Sequence, residues 1–169
     1  RQLVYVVHSP QRWCRWLHVC YLCSDTDHQP TRYKVYYMRW DTERGTWTNA
    51  AGEDLPIPLS RPETDQMTLV VDSNGGRCNH CLCKTDAEGN PLVLFRYGQP
   101  GRIRFTRWQE AAWTDPVQIT DTLVRQDGDM VFEESGVLRV VMYGDRSNGG
   151  GEVSWWRSEN CGSTWTKEH

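Results

Sequence analysis

The 169 residues suffice for one domain with a sizeable core, and a formal net charge of -3 leaves no basic excess that would argue for nucleic acid. No apolar run reaches the 18 residues of a membrane-spanning helix, so no membrane partner is expected. Nine Trp and seven Tyr in so polar a chain suit strands and carbohydrate-facing surfaces, because a flat ring stacks on the apolar face of a sugar. Most of these rings are assigned to the core and a minority to a ligand surface.

Helical periodicity is nearly absent, and short β-rich runs separated by turn signals recur instead. In chain order the predicted strands are 3–8, 16–23, 32–40, 67–71, 79–85, 92–97, 102–108, 130–133, 137–143 and 152–157. The turns between them are chemically sensible, as in Asp86-Ala-Glu-Gly-Asn90, Gln99-Pro-Gly101, Glu134-Ser-Gly136 and Asn148-Gly-Gly-Gly151. Residues 49–66 carry Pro56, Pro58 and Pro62, too irregular for a central strand, and are read as a connection between blades.

Three segments repeat one pattern. Each has an apolar strand, then an aromatic strand ending near Arg-Trp or Trp-Arg, then a short loop and a Trp. The aromatic strands are Tyr33-Lys-Val-Tyr-Tyr-Met-Arg-Trp40, Arg102-Ile-Arg-Phe-Thr-Arg-Trp108 and Glu152-Val-Ser-Trp-Trp-Arg-Ser158, and the closing Trp residues are 47, 113 and 165. The spacing fits four-stranded blades of ~40–50 residues with loop insertions. Blades are placed at about 1–50, 67–120 and 129–169 of a single 1–169 unit. An arc of three to four blades leaves sheet edges and an apolar flank open, so a larger propeller of six or seven blades is expected. Its missing blades would come from the rest of the chain or from a partner. The chain starts with Arg1 and carries no leader, which fits an excised piece.

The stretch Ser158-Glu-Asn-Cys-Gly-Ser-Thr-Trp165 reads Ser-x-Asn-x-Gly-x-Thr-Trp. It resembles the Asp-box of sialidase-like BNR-repeat β-propellers, with Asn160 in place of the usual Asp. Asp41–Trp47 looks like a decayed copy and Arg107–Trp113 like a third. Together with Tyr33-Lys-Val-Tyr-Tyr and Thr46-Trp-Thr-Asn-Ala-Ala-Gly-Glu53, the pattern resembles the branch holding ulvan-type polysaccharide lyases and secreted glycan-active proteins. The resemblance implies an all-β propeller fold, a glycan partner and a secreted or periplasmic location. The box itself is a hairpin brace and carries no chemistry.

Seven Cys, an odd count, do not read as a disulfide scaffold. Cys20-x-x-Cys23 and Cys78-x-x-Cys81 have the form of a split four-Cys structural zinc site. Both pairs also sit in apolar strand-like runs, where Cys behaves as a small hydrophobe. No cofactor is required by the readings below.

Propellers bind ligands at the mouth of the central channel, which singles out the strand from Cys78 to Cys83. His80 alternates with Leu82 and is a candidate general acid or base; Arg96 and Tyr97 end the next strand. By the resemblance, Arg would neutralise a uronate carboxylate while His or Tyr moves the proton in a β-elimination. Candidates by residue type and blade position are His80, Arg96 and Tyr97, with His8 and Arg157 added. The bland alternative has Arg96 paired with Asp86 or Glu88 and His80 as a structural histidine. Two other functions stand beside the lyase: a non-catalytic glycan- or protein-binding propeller, and a sialidase-like hydrolase, whose Arg-Ile-Pro signature is absent here.

Overall fold

A computed structural model describes residues 2–6, 15–23, 32–98, 101–120, 128–143 and 152–168; for 2–6 only the backbone is described. Three antiparallel sheets follow one another along the chain. The first holds β1 (Gln2–Val6), β2 (Trp16–Cys23), β3 (Lys34–Asp41) and β4 (Thr46–Thr48), with β5 (Leu69–Asp72) also on β3. The second holds β6 (Cys78–Thr85), β7 (Pro91–Tyr97), β8 (Arg102–Gln109), β9 (Ala112–Trp113) and β10 (Val117–Gln118). The third holds β11 (Asp129–Phe132), β12 (Leu138–Tyr143), β13 (Val153–Ser158) and β14 (Thr166–Lys167). Each is a simple up-and-down meander, the order expected of propeller blades. Among the described residues no helix is long and apolar enough to cross a membrane.

The outermost strand of the first two sheets is broken into two pieces. In the second sheet β9 pairs with Trp108 and Gln109, and β10 with Phe105 and Arg104. In the first, β4 pairs with Arg39–Asp41 and β5 with Lys34–Tyr36. The Pro-rich stretch expected to connect two blades is therefore an insertion within the first one, and the strand near Leu69 belongs to the first sheet rather than the second. The insertion contains a helix, α1 (Arg61–Met67). Its start signal was present in Ser60-Arg-Pro-Glu63: the Glu63 carboxylate accepts the Ser60 backbone N–H at 2.7 Å, and Pro62 sits in the first turn. Seven residues are too few for a helical periodicity to show. The helix end is anchored to the first sheet by Tyr36, whose hydroxyl donates to Asp65 at 2.6 Å, and by Lys34, 2.9 Å from the same carboxylate.

Alternation along the strands feeds two cores between sheets. Cys20, Leu22, Val35 and Tyr37 of the first sheet meet Cys81, Cys83, Val93 and Phe95 of the second. The opposite face of the second sheet, with Leu92, Leu94, Ile103 and Phe105, meets Met130, Leu138, Val140 and Met142 of the third. An aromatic brace repeats at both junctions. Trp113 stands edge-on to Tyr37 at 5.6 Å, and Trp165 edge-on to Phe105 at 5.5 Å. Tyr37 and Phe105 occupy equivalent places, three residues before Trp40 and Trp108.

The Ser158–Trp165 loop is braced as its composition predicts. Ser158 Oγ accepts the Gly162 N–H at 2.8 Å, Asn160 Oδ1 accepts the Thr164 N–H at 2.9 Å, and the Trp165 indole donates to the Gly162 carbonyl at 3.0 Å. Asp41 does the same work in the first sheet, accepting the N–H groups of Glu43 and Arg44. The third copy differs. Glu110 and Ala111 both have positive φ, +51° and +64°, so β8 and β9 are joined by a two-residue primed turn and no box forms.

Candidate functional site

The register brings the start of β6, the end of β7 and the start of β8 to one rim: Cys78 pairs with Tyr97, and Tyr97 with Arg102. The link from β5 also arrives here, through a tight turn at Asn74 and Gly75 with φ of +49° and +92°. Gly76 lies flat against the Tyr97 ring. A Cβ at Gly76 would sit 2.6 Å from the Tyr97 hydroxyl oxygen, so the ring position depends on that glycine.

His80 is the extra residue of a β-bulge. Asn79 pairs with Arg96 and Cys81 with Phe95, leaving His80 between them at φ +46°. The bulge changes the parity of the strand, so Cys78, Cys81 and Cys83 all face the first sheet. Residues in sparsely populated backbone regions concentrate at functional sites.

Five arginines gather on this rim. Arg104 pairs with Phe95, on the Tyr97 side of the sheet, and its guanidinium carbon lies 4.1 Å from the Tyr97 ring centroid. Arg32 donates to the Asn79 side chain at 2.7 Å, and its backbone carbonyl accepts the Cys78 N–H at 2.5 Å. Arg77 and Arg102 flank Cys78 and Tyr97. Arg96 extends over Gly101, where a Cβ would lie 1.9 Å from its Nε. Among the described residues neither Arg77 nor Arg104 forms an ion pair, and the buried Nε atoms of Arg32, Arg77 and Arg104 have no hydrogen-bond partner. Buried donors without acceptors are rare, and Arg157 Nε, away from the rim, is another; an anionic ligand would supply acceptors to the clustered ones. A carboxylate or sulfate is the chemistry such a rim holds.

The structure divides the sequence candidates. His80, Arg96 and Tyr97 share the rim. Arg96 nevertheless projects on the Leu92–Leu94 side of the second sheet, while Tyr97 packs on the Val93–Phe95 side. Arg104 is the guanidinium beside Tyr97. The sequence reading passed it over, although the Arg102-Ile-Arg104 alternation after the Gln99-Pro-Gly101 turn places both arginines on one face. Arg157 is not part of this group. It ends β13 beside the Ser158 loop, paired with Glu159 at 2.7 Å and near Glu168 at 3.9 Å, because the third strand of each meander runs away from the rim where the first begins. His8 lies outside the described residues.

The four-Cys zinc set is not assembled. Cys20 and Cys23 are three apart on a regular strand, so they face opposite sides: Cys20 packs toward the second sheet and Cys23 beside Tyr21 and Tyr36. Cys20 instead meets Cys81 and Cys83, and burial pushes its thiol pKa well up. Among the described residues no three His, Cys, Asp or Glu side chains are arranged to hold a metal ion. A second histidine escaped the sequence reading. His18 alternates with Cys20 and Leu22, is buried, and shares a hydrogen bond of 2.5 Å with the Tyr37 hydroxyl. Burial, and then the Arg39 charge, pull its pKa down to about 4, so it is a neutral structural group.

The model of the BNR repeat-containing family matches residues 4–121. The chain is 32% identical to an ulvan lyase of Nonlabens ulvanivorans over 148 residues, 83% of this chain and 31% of that protein. It is 24% identical over 150 residues to an ulvan lyase, PL25, of Pseudoalteromonas sp. (strain PLSV), covering 83% of this chain and 30% of that one. The chain thus spans about a third of the length of the curated relatives it matches. A solved PL25 ulvan lyase bound to -[GlcA(1-4)Rha3S]- superposes on 99% of this chain with a TM-score of 0.84 at 21% identity, over 42% of its own length. At that identity the likeness concerns the fold.

Proposed function

The chain belongs to the BNR repeat-containing family, and we propose that it is part of a polysaccharide lyase that cleaves an acidic, uronate-containing polysaccharide by β-elimination. The observation that carries this reading is the arginine rim around Tyr97, with buried guanidinium nitrogens lacking acceptors. The ulvan lyases among its relatives support the same class.

In the proposed reaction Arg104, seconded by Arg77, neutralises the uronate carboxylate and so acidifies the C5 proton. Tyr97 or His80 takes that proton. The electron pair of the C5–H bond forms the C4=C5 double bond, the C4–O bond breaks, and the leaving oxygen gains a proton from the other of the two groups. Side chains alone perform these steps, without a cofactor. A polymer is met outside the cytoplasm, so a secreted or periplasmic location goes with the proposal.

Further blades complete the molecule in this reading. Val153 and Trp155 stand where Val35 and Tyr37, or Ile103 and Phe105, stand in the other sheets, yet they are 55% and 41% exposed. Val131 and Tyr143 extend the same open face. In the first two sheets this face is covered by the next blade, and a fourth would cover it here.

The test is incubation of the full-length protein with uronate polymers, read by the ultraviolet absorbance of the unsaturated product. Arg104→Ala should lower kcat/KM at least tenfold, and Arg157→Ala should leave it near wild type. No unsaturated product from any uronate polymer would leave the non-catalytic glycan-binding alternative.

A further inference from the structure

A cleft of about 200 Å³ opens between the first two sheets, far from the arginine rim. One wall is Trp108 and Trp113 of the second sheet, edge-to-face at 5.5 Å. The other is built by the insertion, from the turn bearing Ala51 and Glu53 and from Gln66 at the end of α1, with Tyr37 at the base. Trp108 lies six residues along β8 from Arg102, about 20 Å at strand rise, so the two places are separate.

The chemistry of the cleft differs from that of the rim. Its lining contains no Lys or Arg, and its one charged side chain is the Glu53 carboxylate. One oxygen of that carboxylate accepts the Asn49 amide at 2.8 Å, and Asn49 Oδ1 in turn accepts the Glu53 N–H at 3.0 Å, so the turn is rigid. Trp108 and Trp113 are each half-buried, and neither indole N–H nor the Gln66 amide has a hydrogen-bond partner among the described residues. A flat aromatic surface, free N–H donors and carboxylate and backbone acceptors match the apolar face and hydroxyl edge of a sugar ring. Glu53 would repel a uronate or a sulfate at the cleft lining, while the Arg39 guanidinium lies behind the turn, 3.5 Å from where a Gly52 Cβ would sit. In the second sheet only Thr114, Asp115 and Pro116 separate the two outer-strand pieces, so the long insertion in the first sheet is what makes the cleft.

We propose that this cleft is a subsite for one neutral pyranose ring, stacked on Trp108 and hydrogen-bonded by Gln66 and Glu53. It is independent of the elimination chemistry and serves to hold a neutral stretch of glycan against the outer edge of the blades.

Saturation-transfer NMR on the full-length protein tests this, with methyl glycosides of glucose, galactose, mannose and xylose as neutral probes and methyl glucuronide as the acidic one. At least one neutral glycoside should show transfer that is unchanged by added salt and by Arg104→Ala. Trp108→Ala should reduce it at least fivefold. Ala51 is exposed, so Ala51→Phe fills the mouth without touching the core and should reduce it equally at an unchanged melting temperature. No transfer from any neutral probe, transfer that survives Ala51→Phe, or equal transfer from the glucuronide at this site overturns the proposal.

Discussion

Replacing Gly162 by Ala should destabilise the protein by about 2–4 kcal/mol, for two separable reasons. Gly162 holds φ at +87°, a conformation that costs an alanine about 1 kcal/mol. Its Cα also faces the neighbouring blade. A Cβ there would lie 2.0, 2.4 and 2.8 Å from three ring carbons of Phe105. Phe105 cannot retreat, because it is buried among Leu94, Ile103 and Met142 and is held edge-on by Trp165. Overpacking of that kind costs about 1–3 kcal/mol. Urea unfolding of the full-length protein, followed by the near-ultraviolet signal of the tryptophans, measures the total. Repeating Gly162→Ala in a Phe105→Ala background isolates the steric part, since the cavity accepts the methyl group and leaves only the backbone cost. A change under about 0.5 kcal/mol in Gly162→Ala, or strictly additive effects in the pair, would refute the idea that the Ser158 loop is seated on the preceding blade.

Ser158→Ala removes the acceptor of the Gly162 N–H and should cost about 1–3 kcal/mol in the same assay, because a buried donor is left unpaired. His18 binds a proton in the unfolded chain near pH 6.5 but only near pH 4 when folded, so stability is full above pH 6.5 and falls as pH drops toward 4. The loss amounts to about 3 kcal/mol, and His18→Gln should flatten the pH dependence of urea midpoints across that window. Arg104→Lys keeps the charge but loses the planar group over Tyr97; kcat/KM on a uronate polymer should fall by about 10–100-fold with the melting temperature unchanged. Asp41→Asn should matter most at neutral pH and little near pH 2, since hydrogen bonds from Arg15 hold the carboxyl pKa at about 2. Melting temperatures at the two pH values check this.

Much of the site's location was legible in the strand pattern. The turn at 99–101 and the run ending in Arg96 and Tyr97 put those two residues at a strand end, next to the start of the strand carrying His80. What the pattern could not show was orientation. A strict alternation puts Cys78 and Cys81 on opposite faces and gives His80 an ordinary place. The bulge adds a residue, and it forms because of pairing across β6 and β7 rather than any local signal in Asn79-His80-Cys81. Arg104 became the guanidinium beside Tyr97 only once β8 was registered against β7. The zinc expectation failed for a related reason. A Cys-x-x-Cys spacing suits a turn, whereas Cys20 and Cys23 lie on an unbroken strand that sends them to opposite faces.

The sequence by itself determined the all-β class, the three meanders and the braced loop, because period-two alternation, glycine turns and short polar side chains act over a few residues. Tertiary structure alone decided where the Pro-rich stretch belongs, since β4 and β5 become pieces of one outer strand only by sharing β3. It likewise decided which arginines converge and that Trp108 and Trp113 face an insertion from the first sheet. Several of those relations, such as Arg32 with Arg77 and Gln66 with Trp108, join residues far apart in the chain, and the cost of closing such long loops is met by the cores between sheets rather than by any local preference.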